Sequence, residues 1–377
     1  MERLEKMTRE EIDRRLYKMR LFWDSMADFE HGGFYGRADN CGRPDPGADK
    51  GTILMCRILW FYSNLYLLFH DDSLDLVKHA YQFIRTRSMD PIYGGVLESV
   101  HADGSAADAA KNIYTQSFCM LALASCFRAT GDKDAREMVF SLHRLINDRY
   151  RLERGYRETL DKKPVPAFSL GTLIQLLEAY TEIFRAEPSQ EIRETLERLL
   201  KLFDECFYDP GSSLLWEYDR HETGEDQNMF SYGHNAMAVL LSDRAEECLC
   251  NGMNAVKKTG GSVPEQVIRA LYEKAFDPGT GTLYYDSTGN RNRIWWAQAD
   301  GAAAFFHAYR KSGEILYKEA AESILGFADS YMTDKRTGEW IEACLPYSTE
   351  RPDQDLVHAW KGPYHTGRMY FELRKEM

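Results

Sequence analysis

The segment Tyr208-Asp209-Pro210-Gly211, which runs on to Leu215-Trp216, recurs as Phe276-Asp277-Pro278-Gly279, which runs on to Leu283-Tyr284-Tyr285. In both copies an Asp and a Gly form a turn ahead of an apolar, aromatic-rich piece that favours an extended backbone. Looser copies of this pattern begin at Asp28, Asp90, Asp148 and Asp334. The six turns are spaced by 57 to 68 residues, so the chain consists of six related units.

Periodic apolar stretches between the turns predict twelve helices, two in each unit. They fall at about 9–26, 51–69, 74–88, 108–130, 133–147, 167–186, 188–207, 231–257, 263–276, 294–311, 314–332 and 355–375. Thr8 followed by Glu11 forms a capping box at the start of the first helix. The turns themselves predict short β-hairpins.

The first and last helices are as apolar as those between them, whereas an open array of repeats needs polar ends. Their apolar residues are Tyr17, Leu21, Phe22 and Trp23 in the first helix, and Tyr364, Met369, Tyr370, Phe371 and Leu373 in the last. A closed ring hides both ends. We therefore predict an all-α fold, a single (α/α)6 barrel domain over residues 1–377, with hairpin-like loops at one end.

The composition excludes several classes of protein. The 47 basic against 59 acidic side chains give a net charge of −12, which argues against a nucleic-acid partner. A hydrophobic content of 44% excludes a disordered chain, and Arg57 interrupts the longest apolar stretch, so no membrane span is expected. The charged N-terminus has no apolar export signal, and eight scattered cysteines show no CxxC pair, which together favour a cytoplasmic protein with reduced thiols.

Four polar groups at predicted helix starts are candidates for chemistry. Arg57, in an apolar helix, either has a structural role, at the rim or paired with a carboxylate, or binds substrate oxygens with its planar fork. Tyr114 and Gln116 either pack in the core or bind hydroxyl groups. His234 is either structural or functional, and the positive end of its helix is expected to lower its pKa.

The fourth group combines Lys361, His365 and Arg368, and the start of the tenth helix adds aromatic and polar residues. Inner-ring helices of such a barrel all start at the same end, so His234 and His365 are expected to face each other across one cleft. Two imidazoles suit proton transfer at neutral pH. We take the following as further candidates for substrate binding: Trp295, Trp296, Gln298, Asp300 and Trp340.

The sequence shows no motif for a metal or an organic cofactor. The ten histidines show no HxH, HxxxH or HxxEH spacing, and no glycine-rich nucleotide motif is present. We therefore expect neither a metal nor an organic cofactor. The candidate carboxylates of a hydrolase, such as Glu217, Glu339 and Glu342, stand in no local motif.

These segments together resemble the N-acylglucosamine 2-epimerase superfamily, which includes cellobiose 2-epimerases and mannose-type aldose–ketose isomerases. The resemblance rests on Arg57-x-x-Trp60-Phe61, Tyr114-x-Gln116-x-Phe118, Ser231-Tyr232-Gly233-His234, Trp295-Trp296-x-Gln298-Ala299 and Lys361-x-Pro363-Tyr364-His365-x-Gly367-Arg368. It implies an (α/α)6 barrel, a monomer or homodimer, that moves a proton at C2 of a reducing sugar. By that resemblance His234 and His365 are the acid/base pair, Arg57 steadies the enediolate and Trp296 stacks on the sugar.

The chain departs from the family pattern at four positions. Leu173 and Gln175 stand where the family carries histidines, Met237 replaces a Glu and Asp300 replaces another. Three interpretations follow: an epimerase or isomerase with an altered substrate, a barrel with another sugar-directed activity such as glycoside hydrolysis, or a carbohydrate-binding protein without catalysis.

Overall fold

The computed structural model describes residues 8–161, 166–224, 227–250, 263–348, 350 and 352–377. These residues form twelve α-helices, as predicted: α1 (Arg9–Ser25), α2 (Thr52–Phe69), α3 (Ser73–Phe83), α4 (Ile113–Thr130), α5 (Lys133–Leu145), α6 (Leu170–Ala186), α7 (Gln190–Leu202), α8 (Tyr232–Cys250), α9 (Val263–Lys274), α10 (Trp295–Ser312), α11 (Ile315–Phe327) and α12 (Tyr364–Glu376). Thr8 caps α1 by accepting the amide N–H of Glu11. Residues 251–257, predicted to end the eighth helix, lie outside the described residues.

Short antiparallel strands join the helices: β1 (Lys50–Gly51), β2 (Ser99–Val100), β3 (Ala106–Asp108), β4 (Tyr208–Asp209), β5 (Leu214–Leu215), β6 (Phe276–Asp277), β7 (Thr282–Leu283), β8 (Arg293–Ile294) and β9 (Ala343–Cys344). The two Asp-Pro-Gly turns form the predicted hairpins, with Tyr208 opposite Leu215 and Phe276 opposite Leu283. The prediction of a helix from 108 was wrong at its start because β3 occupies that segment.

The helices form two concentric rings. The inner ring runs α2, α4, α6, α8, α10, α12, each packed on the next, and α12 packs on α2 to close it. Of the outer helices, α3, α5, α7, α9 and α11 each pack on the inner helix that precedes them, and α1 packs on α12. The predicted (α/α)6 barrel is therefore confirmed, while the extent of one domain over residues 1–377 stays a prediction. Among the described helices, only α2 has the length and composition of a membrane span, and 72% of it is buried.

An Asp follows the first paired residue in five of the six turns and stabilises the turn. Asp28 accepts the backbone N–H groups of Glu30 and His31, and the buried ammonium of Lys50, just before α2, lies 2.6 Å from the same carboxylate. Lys111 pairs with Asp90 in the same way, and Arg293 with Asp277. The third unit differs from the sequence prediction. Asp148 lies in the helical extension of α5. In the other five units an Asp follows the first paired residue of the turn, whereas in this unit Leu152 follows it.

The end of the barrel opposite these turns contains a buried histidine that is expected to make stability depend on pH. His307 of α10 lies 3.1 Å from both Asp243 and Glu376, and it is 4% exposed. Burial opposes its charge, but the two carboxylates outweigh burial and raise its pKa from 6.5 to about 9. A raised folded-state pKa stabilises the protein fully below pH 6.5, and this contribution is lost as the pH rises through 9.

We therefore expect His307→Gln to lower the free energy of unfolding at pH 6 by up to about 3 kcal/mol and to have a much smaller effect at pH 9.5. Urea unfolding of the wild type and the variant at both pH values checks this. An equal loss of stability at the two pH values contradicts it.

Candidate active site

A cavity of about 500 Å³ opens at the end of the barrel where the inner helices begin. Every inner helix contributes to its wall, through Arg57 of α2, Tyr114 of α4, Gly171 and Thr172 of α6, His234 of α8, Trp295 and Trp296 of α10, and His365 of α12. The expectation that both histidines face one cleft is confirmed. Arg57, Tyr114, Trp295 and Trp296 are brought to the same cleft as predicted.

His234 is bound to a carboxylate. Its Nδ1 lies 2.8 Å from Glu217, so Nδ1 carries the hydrogen and Nε2 is left as the second nitrogen. Burial alone would lower the pKa of His234, but the charge of Glu217 outweighs it and raises the pKa above 6.5. The expected lowering by the helix end was wrong because the carboxylate is much closer. His234 is therefore the imidazole that favours a proton.

His365 is bound to a carboxylate in the same manner but in a different electrostatic environment. Its Nδ1 lies 2.8 Å from Asp300, a fully buried residue. Burial, with help from the positive charges of Arg57 and Arg368, lowers the pKa of His365 to about 4, although Asp300 acts in the opposite direction. Two titratable groups whose pKa values are pushed apart in one cleft are typical of an acid/base pair.

The ring of Trp296 contacts both imidazoles. Its ring centroid is 4.9 Å from that of His234 and 5.6 Å from that of His365. Gly233 makes room for it, because a Cβ at that position would stand 2.4 Å from the indole. The arrangement gives the cavity an aromatic platform next to both imidazoles.

Arg57 is a buried cation that has no counter-charge among the described residues. Its guanidinium packs 4.8 Å from the ring of Phe118 and 5.4 Å from that of Tyr364, and it donates to the backbone oxygen of Trp360. Within the described part of the chain no carboxylate lies at ion-pair distance from it, and its Nε has no partner. Burial lowers the pKa of this guanidinium. Arg57 is 3% exposed, so both structural alternatives, a position at the rim and a carboxylate partner, are wrong for the described residues.

Gln116 and Gln298 do not reach the cavity, because both ends of each amide are used elsewhere. Gln116 accepts the N–H of Val96 and donates to its carbonyl, and Gln298 does the same with Leu283. Asn235 of α8 holds Leu215 identically. These amides fasten three inner helices, α4, α8 and α10, each to its own turn, which is a structural role.

Lys361 and Trp340 also lie away from the cavity. Lys361 is fully buried, donates to the carbonyl of Leu356 and lies 3.9 Å from Glu339, and it precedes its inner helix as Lys50 precedes α2. Trp340 is fully buried in the sixth turn, opposite Thr333. Neither is placed to contact a ligand.

Asp300 and Arg368 lie directly beneath the cavity floor. Arg368 donates from Nε and Nη2 to one oxygen of Asp300, at 3.2 and 2.8 Å, while the other oxygen holds His365. Its Nη1 donates to Glu178 and to the hydroxyl of Tyr364. Both residues, predicted to bind substrate, contact the imidazole and its partners instead.

The cavity also contains carboxylates that sequence reasoning left out or could not place. Glu98 and Glu158 line it beside Glu217. Thr115 donates to Glu98 at 2.7 Å and Thr172 to Glu158 at 2.7 Å, as His234 does to Glu217. The three carboxylates occupy one repeat position, two residues after the paired turn residues Val96, Tyr156 and Leu215. An alignment of the six units would have found them.

Three of the changed family positions, Leu173, Gln175 and Met237, carry apolar or neutral side chains here. Leu173 is fully buried, and Gln175 accepts a long hydrogen bond of 3.4 Å from Tyr364. Met237 lines the cavity one turn after His234. Among the described residues, no three His, Cys, Asp or Glu side chains are grouped to hold a metal ion.

Comparison with known proteins agrees with this geometry. The model of the family described as N-acylglucosamine 2-epimerase (GlcNAc 2-epimerase) matches residues 33–367. A cellobiose 2-epimerase of Ruminococcus albus is 34% identical over 368 residues, which cover 93% of this chain and 94% of the relative.

Solved structures agree as well. A sugar epimerase from a ruminal bacterium superposes with a TM-score of 0.90 at 33% identity, covering 98% of this chain and 99% of the other. A D-mannose isomerase superposes at 0.83 with 18% identity, covering 98% of each chain, which shows a common fold. The chain belongs to the N-acylglucosamine 2-epimerase family.

Proposed function

We propose that the protein is a sugar 2-epimerase that inverts C2 of a reducing sugar by proton transfer between two histidines, without a cofactor. The observation that carries the proposal is the pair of carboxylate-bound imidazoles, His234 and His365, which line one cavity and both contact Trp296. In each, Nδ1 is held by the carboxylate and Nε2 remains for the substrate.

The lowered pKa of His365 makes it the base when the resting enzyme meets a sugar whose C2 hydrogen faces it. The open-chain sugar loses its C2 proton to Nε2 of His365, and the C–H electrons form a C1–C2 double bond with negative charge on O1. His234, whose raised pKa favours the protonated form, returns a proton to C2 from the other face. One proton leaves the carbon and one arrives, so the product is the C2 epimer.

Arg57 supports this step because its guanidinium is buried without a carboxylate. A positive charge that is already desolvated stabilises developing negative charge on O1 and O2 far more than the same charge in water. Because no carboxylate among the described residues neutralises Arg57, its charge stabilises the anionic transition state more than the neutral sugar.

The substrate we favour is a β-linked disaccharide such as cellobiose, after the activity named for the relatives at 34% identity. The structure adds room beyond the imidazoles, where Tyr218, Tyr285 and the half-exposed Trp360 line the outer part of the cavity. Aromatic faces of this kind suit a second sugar ring.

Incubation in heavy water tests the proposal. Cellobiose, glucose, mannose and N-acetylglucosamine are supplied separately, and NMR follows deuterium at C2 together with the appearance of the epimer. We expect inversion with one deuterium at C2 for at least one sugar, with the disaccharide fastest.

The other outcomes are distinct. Appearance of a ketose means that the proton is returned to C1, which makes the protein an isomerase. Release of glucose from cellobiose means hydrolysis. Binding of sugar without exchange at C2 contradicts catalysis and leaves a carbohydrate-binding protein.

A further inference from the structure

The pKa of His234 is raised and that of His365 is lowered, although each imidazole is bound to a carboxylate through Nδ1. Glu217 and Asp300 hold Nδ1 of His234 and His365 at the same distance, 2.8 Å. Asp300 is also bound by Arg368, whereas among the described residues no lysine or arginine pairs with Glu217.

We propose that Arg368 is a positioning residue that assigns the resting proton: by binding Asp300 it keeps His365 unprotonated, while the unshared Glu217 keeps a proton on His234. The inference rests on the proposed function and explains what gives the two histidines opposite roles. Arg368 contacts no ligand itself and acts through Asp300.

The charges beneath the cavity floor support this role. Arg368 spans two buried carboxylates, Asp300 through Nε and Nη2 and Glu178 through Nη1. With Arg57 nearby, these two positive and two negative charges cancel when His365 is neutral. A proton on His365 would leave a net positive charge among groups that are almost fully buried, which is unfavourable.

The groups around His365 come from every inner helix. They are Arg57 (α2), Tyr114 (α4), Glu178 (α6), His234 (α8), Asp300 (α10), and Tyr364 and Arg368 (α12), with Glu217 beyond His234. Of these, only Asp300 touches the Nδ1 side of the ring with a negative charge. Neutralising Asp300 is therefore the most direct way to remove the attraction for a second proton.

The same comparison applies to His234. Glu217, the carboxylate that holds His234, accepts hydrogen bonds from this imidazole alone among the described side chains, at 2.8 and 3.1 Å. The full charge of Glu217 thus acts on one ring, and the imidazolium is retained.

The test replaces Arg368 without leaving an uncompensated charge. The double variant Arg368→Met/Glu178→Gln removes one positive and one negative charge and keeps the volume of both side chains. Titration of the imidazole signals in histidine-labelled protein by NMR, assigned with His365→Asn and His234→Asn, is followed without substrate.

In the wild type we expect His234 to be protonated at a higher pH than His365. In the double variant the titration midpoint of His365 should rise by more than one pH unit, and the acidic limb of the epimerisation rate should move by the same amount. Glu178→Gln alone, the matched control, retains Arg368 on Asp300 and should not raise the midpoint.

Arg368→Lys gives a second measurement if the double variant does not fold cooperatively. It keeps the buried charge but loses the two-nitrogen contact with Asp300, and we expect a smaller rise in the same direction. An unchanged His365 midpoint in the folded variants overturns the proposal, as does a wild type in which His365 holds its proton more tightly than His234. Because the titration needs no substrate, it decides the role of Arg368 even if no sugar is epimerised.

Discussion

Replacement of His365 by Asn is expected to stop epimerisation, with a loss in kcat of about 10³-fold or more, because the base that takes the C2 proton is gone. The amide of Asn still offers an N–H to Asp300, so the buried carboxylate keeps a partner. We expect the sugar to bind with little change, since the imidazole contributes to proton transfer more than to affinity. Epimer formation by NMR and sugar binding by calorimetry separate the two effects.

The control for this variant is His143→Asn. His143 is also buried and bound, to Tyr180 and Glu191, but it lies in α5 of the outer ring and away from the cavity. Its replacement should lower stability without removing activity. Epimerisation that survives in the His365 variant would rule out the assigned role.

Replacement of Arg57 by Lys is expected to lower kcat by about 10²- to 10³-fold with a smaller change in KM, because the enediolate loses its preorganised cation. Lysine keeps a charge but cannot stack flat between the rings of Phe118 and Tyr364 or offer several donors in one plane. Steady-state kinetics on the fastest substrate checks the division between kcat and KM.

Arg244→Lys is the matched control for Arg57. Arg244 is a buried arginine of α8 that pairs with Glu372 and Glu376 at the other end of the barrel. We expect that variant to unfold at lower temperature with kcat unchanged. A loss of kcat in Arg244→Lys as large as in Arg57→Lys would mean that the effect reflects general destabilisation.

The fold could be predicted because local signals agree with the global arrangement. Asp and Gly mark five of the six turns, and the apolar period between the turns marks each helix. The start of α12 was predicted nine residues too early, since Leu356 and Val357 continue the apolar pattern. In the structure the backbone of these residues pairs with Ala38, so tertiary pairing overrides the local period.

The site was predictable only in part, for a reason of distance along the chain. His234 and His365 stand at helix starts, which a sequence shows directly. Their carboxylates lie 17 and 65 residues away, so no local motif pairs them. Arg368 reaches Asp300 from another helix, and a single sequence without its fold does not reveal that contact.

For two glutamines the sequence predicted a place in the cavity that the fold does not give them. Gln116 and Gln298 stand beside cavity residues in the sequence, yet a helix turns each of them toward its own hairpin, where both amide groups are bonded. Neighbours in sequence on a helix point in different directions, so proximity along the chain is a poor guide to proximity in a cleft.

The three carboxylates at one repeat position indicate how a further proton-transfer histidine can arise on this barrel. Glu98 and Glu158 each hold a threonine where Glu217 holds His234, and the backbone that supports all three is the same. The barrel thus has three equivalent positions at which a carboxylate can orient an imidazole through Nδ1. Of these three, only the position beside Glu217 carries a histidine. A change of reaction on this scaffold needs a new side chain at Thr115 or Thr172, without a new loop or a new helix.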